Sequence, residues 1–264
     1  MPGDQPDPSA GHRGAAAAAA LLVPVGAVIM LVGLVAAPGS WLTGYVSEAA
    51  VAGLPFAAAY RAGFVAVGIG VALLAVALGP VVRWAGPVLG VAAVLAMTSA
   101  AVPCSAGCPL PPYEPTTAAD LVHGSASVLG LIVLAGAMAL VVITRAAGIV
   151  QRRLAAVSVG TIVPVGAALA LTMLIVGRGT LGAWLERIAL VIAISWLTGA
   201  ALTAALTAAP AKAAAPGKAA APRKAATSGK AAASGKAGAL GDAATESGVE
   251  RSDLIMRESV HDPR

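Results

Sequence analysis

Leu154-Ala-Ala-Val-Ser-Val-Gly-Thr-Ile-Val-Pro164-Val-Gly-Ala-Ala-Leu-Ala-Leu-Thr-Met-Leu-Ile-Val-Gly177 carries no charge, with Arg153 before it and Arg178 after it. A helix rises about 1.5 Å per residue, so roughly 20 apolar residues cross the ~30 Å hydrocarbon core of a bilayer. This stretch is long enough to do so. The same pattern recurs in both directions along the chain. Charge-free windows run over 14–47, 62–82 and 84–113 on one side, and over 124–144 and 188–211 on the other. Trimmed to their apolar parts, the six windows predict membrane helices near 15–37, 62–82, 85–103, 121–144, 154–176 and 187–209.

Composition points the same way. Of the 264 residues, 58% are hydrophobic and 11% charged, and mean hydropathy is +0.87. Soluble domains carry roughly 25% charged residues. This chain could not cover a soluble surface with polar groups, so the bilayer is its expected solvent. The sequence therefore reads as an all-α integral membrane bundle of six transmembrane helices. It divides into an N-terminal cytoplasmic segment 1–14, a membrane domain 15–209 and a tail 210–264. Ala, Gly and Val dominate and aromatics make up 3%, so the helices should pack by close backbone approach. Gly86-Pro-Val-Leu-Gly90 has the small-xxx-small spacing of such contacts.

The first window has a second reading. Arg13, an apolar run and Val35-Ala36-Ala37 resemble a cleavable secretory signal. The run of about 23 residues exceeds the roughly 7–15 of a signal peptide, which favours a retained helix.

Basic residues orient the bundle. With the N-terminus inside, Arg13, Arg83, Arg145, Arg152, Arg153 and nine tail residues lie inside, against Arg61, Arg178 and Arg187 outside. Both termini are thus expected in the cytoplasm of a bacterial plasma membrane. Cys104 and Cys108, the only cysteines, fall in an outer segment as Cys104-Ser-Ala-Gly-Cys108. Disulfides persist in oxidising compartments, and three intervening residues can close a small ring. A disulfide is the leading reading. A metal site would require further Cys or His ligands nearby. His123 alone is close, so neither a metal nor a cofactor is expected.

The tail is a different material. Lys212, Lys218, Lys224, Lys230 and Lys236 recur every six residues among Ala, Pro and Gly. No apolar face forms, so the tail should be disordered. The plain reading is a flexible, solvated tail; the sharper one lays its lysines against anionic lipid headgroups. Contact with nucleic acid is the less favoured reading. Oligomeric state is not legible.

Ionisable residues collect at the outer rim. Glu48 lies in the first outer segment, Arg61 opens the second helix, Asp120 and His123 open the fourth, and Glu186 and Arg187 open the sixth. Their structural reading is local. Acids favour helix N-termini, and Thr117-Ala-Ala-Asp120 has the form of a capping box. Arg61 and Arg187 would then pair with Glu48 and Glu186 or reach headgroups. The functional reading starts from spacing. Asp120, His123 and Ser127 stand at i, i+3 and i+7, on one helix face. An acid and a histidine so placed can orient an imidazole for proton transfer. Asp120, His123 and Glu48 are the catalytic candidates, and a Ser127–His123 nucleophile is disfavoured.

The assembled residues resemble the bacterial membrane family known as domain of unknown function 998. The resemblance rests on Gly44-Tyr-Val-Ser-Glu48, Pro55 and Arg61. It continues through Pro103-Cys-Ser-Ala-Gly-Cys-Pro109, Thr117, Asp120 and His123, and ends on Leu185-Glu-Arg187. It covers roughly residues 15–208. It implies a multi-helix bundle and assigns no reaction.

Three functions stay open. The first is a non-catalytic or lipid-interacting membrane protein. The second is an enzyme acting on lipid or envelope substrates at the outer leaflet. The third is a small-molecule transporter. Transport pathways place ionisable groups inside the spans, and this chain has none near the middle of any span. Helices broken at Pro24, Pro87 or Pro164 could substitute backbone carbonyls. Val23-Pro-Val-Gly-Ala27 recurs as Val163-Pro-Val-Gly-Ala167, a possible trace of duplication.

Overall fold

The structure, a computed structural model, describes residues 8–37, 41–109 and 111–207. The Lys-rich segment 210–264, expected to be disordered, lies outside the described residues. Six α-helices follow one another: α1 (Pro8–Ala36), α2 (Ala57–Leu78), α3 (Ala85–Ala101), α4 (Ala118–Ile143), α5 (Ile149–Ile175) and α6 (Thr180–Thr207). A 3-10 helix, Val46–Ala50, interrupts the first long connection. No strand occurs among the described residues. The all-α bundle of six helices read from the charge-free windows is borne out.

Five helices are long and apolar enough to cross a membrane; α3, with 17 residues, is the short one. At about 1.5 Å per residue it spans about 26 Å, at the lower limit for crossing. Pro103 explains its end. The residue before a proline is pushed out of the α region, and Val102 is extended at φ −106°, ψ 91°.

Most helices begin before their charge-free windows. Arg61 sits in the second turn of α2, and Glu186 and Arg187 lie two turns into α6. The windows mark uncharged sequence, whereas a helix continues wherever a charged side chain finds protein partners. At the other end of α5, Gly177 adopts φ 78°. This left-handed residue just past the helix permits the four-residue reversal into α6.

Each helix packs on the next, and α6 returns to α1, which closes the ring. Trp196, Leu74, Leu89, Met138 and Val23 are fully buried within it. Large apolar side chains such as Leu31, Val32, Ile132, Val157, Leu171 and Val191 are more than half exposed, the pattern of helices turned toward lipid.

The tightest approach joins α1 to α2. A Cβ on Gly26 would stand 2.5 Å from the Gly63 carbonyl oxygen, and one on Gly63 would stand 2.7 Å from that of Gly26. Backbone therefore meets backbone, as the Ala/Gly-rich composition implies. The contact read from Gly86 and Gly90 is only half correct. Gly86 lies against Gly79 and Ala75, while nothing stands within 4 Å of a Cβ at Gly90.

Two further expectations change. Helices α1 and α5 run unbroken through Pro24 and Pro164, and Pro87 sits in the first turn of α3, where a missing N–H costs nothing. The repeated pentapeptides also sit in unlike places. Val23 is buried and Gly26 is in contact, whereas Val163 is exposed and Gly166 has open space around it. At the end opposite the long connections, the Gln151 amide donates to the Ala200 carbonyl, 3.4 Å, and Arg152 Nε donates to the Val142 carbonyl, 3.0 Å. These bonds tie α5 to its two neighbours.

Candidate functional site

The three connections at the other end converge, and most of the ionisable residues there hold a piece of backbone. Glu186 projects from α6 to the 3-10 helix. Its Oε2 accepts the Val46 N–H at 2.7 Å, and its carboxylate also takes the Ser47 N–H and hydroxyl. Those N–H groups have no partner inside the helix they begin, so the half-buried acid caps it from a distant element.

Arg187, next along α6, donates to the Ala183 carbonyl at 2.7 Å, to the Gly44 carbonyl at 2.7 Å and to the Trp41 carbonyl. Arg61 donates from Nε to Ala100, 2.9 Å, and from Nη2 to Ala101, 3.1 Å. These are the last carbonyls of α3, which lack helical partners. The expected pairing of Arg61 and Arg187 with Glu48 and Glu186 is not what the hydrogen bonds show. Glu48 instead bonds Arg178, whose other Nη reaches Glu114 at 3.6 Å.

Asp120 and His123 are 6% and 5% exposed, one turn apart on α4, and they serve different partners. Thr117 caps α4 in the capping box that its sequence spacing predicts. Asp120 accepts from the Thr117 N–H, 2.8 Å, and hydroxyl, 2.7 Å. It also accepts from the Ser105 N–H, 2.6 Å, and hydroxyl, 2.9 Å. Ser105 lies between the two cysteines, so one carboxylate fixes both the start of α4 and the cysteine loop. Cys104 and Cys108 form a disulfide with Cα atoms 5.0 Å apart. Cys104 Sγ lies 3.9 Å from the Ser47 carbonyl oxygen, which brings the first two connections together.

His123 Nδ1 stands 2.9 Å from the Ser99 carbonyl oxygen and 3.0 Å from that of Val102. A carbonyl can only accept, so Nδ1 carries the proton. Nε2 is buried and has no hydrogen-bond partner. Ser127 Oγ donates to the His123 backbone carbonyl at 2.9 Å and lies 2.7 Å from Ser99 Oγ. Its hydrogen is thus not aimed at the imidazole. Asp120 and His123 share a face but do not form an acid–imidazole pair.

An open cleft of about 300 Å³ lies beside Tyr45, Glu48 and Arg178, with Thr43 and Thr180 at its edge. It shares Gly44, Tyr45 and Glu48 with a smaller, apolar pocket of about 70 Å³ that reaches Leu34, Trp41 and Leu54. The Arg178 guanidinium stands 5.8 Å from the centroid of the Tyr45 ring. Burial, ahead of any neighbouring charge, pushes the Tyr45 phenol above its ordinary pKa. The sequence marks Arg178 only as an outer charge and assigns no role to Tyr45, Ser99 or Ser105. A lone serine in the apolar run of α3, and an arginine between Gly177 and Gly179, were the available signals.

A family model described as "Protein of unknown function (DUF998)" matches residues 15–203, most of the chain. No curated protein and no solved structure matches it. The chain belongs to this family, as the Tyr45–Glu48, Cys104–His123 and Leu185–Arg187 segments indicated, and it is a multi-pass, membrane-type helical protein.

Proposed function

We propose that this DUF998 protein binds lipid without covalent chemistry, in the bacterial plasma membrane. In this reading its two long connections and the α5–α6 turn face outside and its termini lie in the cytoplasm. The observation that carries the reading is the two-part cleft. Its polar end offers a cation, Arg178, and an anion, Glu48, on one rim. Its apolar end is walled by Leu34, Trp41 and Leu54. A zwitterionic phospholipid matches both, with phosphate toward Arg178, ammonium toward Glu48 and an acyl segment against the apolar wall.

The rest of the rim supports a non-catalytic role. Asp120, Glu186, Arg61 and Arg187 direct their hydrogen bonds to capping and loop anchoring. Membrane enzymes of the outer leaflet would use an acid and a base converging on an open site. Here Asp120 and His123 are buried and serve separate partners. The unbroken α1 and α5 lend no support to transport through broken helices. The excess of basic residues on the other side and the disulfide both favour the proposed orientation. The five regularly spaced lysines beyond Pro210 would lie against anionic headgroups of the inner leaflet, each adding about 1 kcal/mol.

The test is lipid retention. Full-length protein in zwitterionic phospholipid nanodiscs, transferred to detergent, should keep bound phospholipid by native mass spectrometry. Glu48→Ala with Arg178→Ala should retain about tenfold less, equivalent to ~1.4 kcal/mol. Equal retention by the variant would refute the cleft as the lipid site.

A further inference from the structure

Apart from the cleft, we infer that Cys104, Cys108 and His123, once the disulfide is reduced, form a three-coordinate site for a soft metal ion, Cu(I). The two sulfur atoms and a ring nitrogen of His123 all lie within 4.8 Å of one another. Ligands about 2.0–2.3 Å from a common metal stand roughly 3.5–4 Å apart, so little movement is needed. Cys104 and His123 are buried and Cys108 is partly open, which leaves an approach from one side.

The imidazole carries the second observation. Its Nδ1 proton is held by the Ser99 and Val102 carbonyls. This fixes the tautomer that leaves the lone pair on Nε2, and Nε2 is buried without a partner. A metal-ligating histidine usually gives its other N–H to a backbone carbonyl or carboxylate in this way. The cysteine loop is equally prepared. Asp120 pins Ser105 between the two thiols. Gly107, at φ 84°, packs so closely on Arg178 that a Cβ there would meet Nη1 at 2.8 Å.

The donor set selects the metal. Structural zinc takes four ligands in a tetrahedron, and the carboxylate of Asp120, one turn before His123, is occupied by Ser105 and Thr117. Two thiolates and one imidazole are a soft, three-ligand set, which suits Cu(I). The chemistry balances with a dithiol reductant. The disulfide and the dithiol exchange to give two cysteine thiols and the reductant's disulfide. Cu(I) then displaces one proton from each thiol as the two sulfur–copper bonds form.

Full-length protein in detergent, reduced under argon, should hold one Cu(I) per chain against a chromophoric Cu(I) chelator. X-ray absorption of that sample should show two sulfur neighbours and one nitrogen. The Cys104→Ser/Cys108→Ser variant should bind about 100-fold more weakly or worse, and His123→Ala should lose the nitrogen neighbour. If His123→Ala does not accumulate, the absorption spectrum of the unaltered chain decides the nitrogen by itself. Equal competition by the double-serine variant, a spectrum without two sulfurs and a nitrogen, or preference for Zn(II) over Cu(I) would overturn the site.

Discussion

Glu186 on the sixth helix accepts the Val46 N–H at 2.7 Å across 140 residues of sequence. Removing that carboxylate orphans the first N–H groups of the 3-10 helix. Glu186→Ala should therefore lower stability by about 2–4 kcal/mol, and amide exchange at Val46 and Ser47 should accelerate. Glu186→Gln should fall between the two, because its amide oxygen still accepts while its NH₂ faces other donors. Unchanged exchange at Val46 in Glu186→Ala would remove the capping role.

The Gly26–Gly63 approach predicts a contrast within one residue type. Gly26→Ala and Gly63→Ala each drive a Cβ into backbone oxygen at 2.5 and 2.7 Å. Backbone cannot swing aside as a side chain can, so both should destabilise the α1–α2 pair by about 1–3 kcal/mol. Gly90→Ala and Gly166→Ala meet nothing within 4 Å and should gain up to about 1 kcal/mol of helix propensity. Thermal unfolding in detergent separates the two pairs. Similar shifts at all four positions would contradict the packing described here.

These two cases show what the sequence could reveal. Helix number was legible because bilayer thickness and the cost of buried charge act on local sequence. The shared burial of Asp120 and His123 follows from three-residue spacing on a helix. Partners were less legible, because they depend on how three separate connections meet. Arg61 and Arg187 find backbone carbonyls because the end of α3 and the segment 41–44 present unpaired acceptors within reach of a planar, five-donor guanidinium. Glu48 meets Arg178 because the short turn through Gly177 points that arginine at the first connection. Small-residue spacing identifies a flat helix face but not its neighbour, so Gly86 and Gly90 looked alike on paper.

Arg178 separates binding from stability. Its contact with Glu48 is 28% and 29% exposed, and an ion pair that accessible contributes about 0.2–1 kcal/mol. Arg178→Ala should thus unfold within a few degrees of the native protein while losing retained phospholipid. Arg178→Lys should keep the charge but only part of the retention, since an ammonium lacks the paired donors of guanidinium. A large fall in thermal stability with lipid retained would reverse the assignment.

The disulfide closes a ring of five residues, and so short a loop restricts the unfolded chain by about 2 kcal/mol. Cys104→Ser/Cys108→Ser should accumulate and insert normally while unfolding a few degrees earlier. Peptide mapping of native protein without reductant should recover Cys104 joined to Cys108. Recovery of both as alkylated thiols would mean that this end is not held in an oxidising compartment.

Compartment is the remaining variable, and the geometry makes it a single binary choice. Arg178 meets Glu48, Cys104 meets Ser47 and Arg187 meets Gly44, so the two long connections and the α5–α6 turn occupy one end of the ring together. They must lie on one side of the membrane, whichever side that is. The distribution of Arg and Lys favours the outside, as proposed. In a background lacking Cys104 and Cys108, single cysteines at Thr43 and Thr180 should react with an impermeant thiol reagent in intact cells. Cysteines at Arg83 and Arg145, in the two short connections, should react only after permeabilisation. Labelling at Arg145 but not at Thr43 would invert the protein, move the cleft and the cysteine loop to the cytoplasm, and remove the oxidising environment assumed for Cys104 and Cys108. Labelling at Thr43 but not at Thr180 would contradict the convergence of the connections, and with it the site.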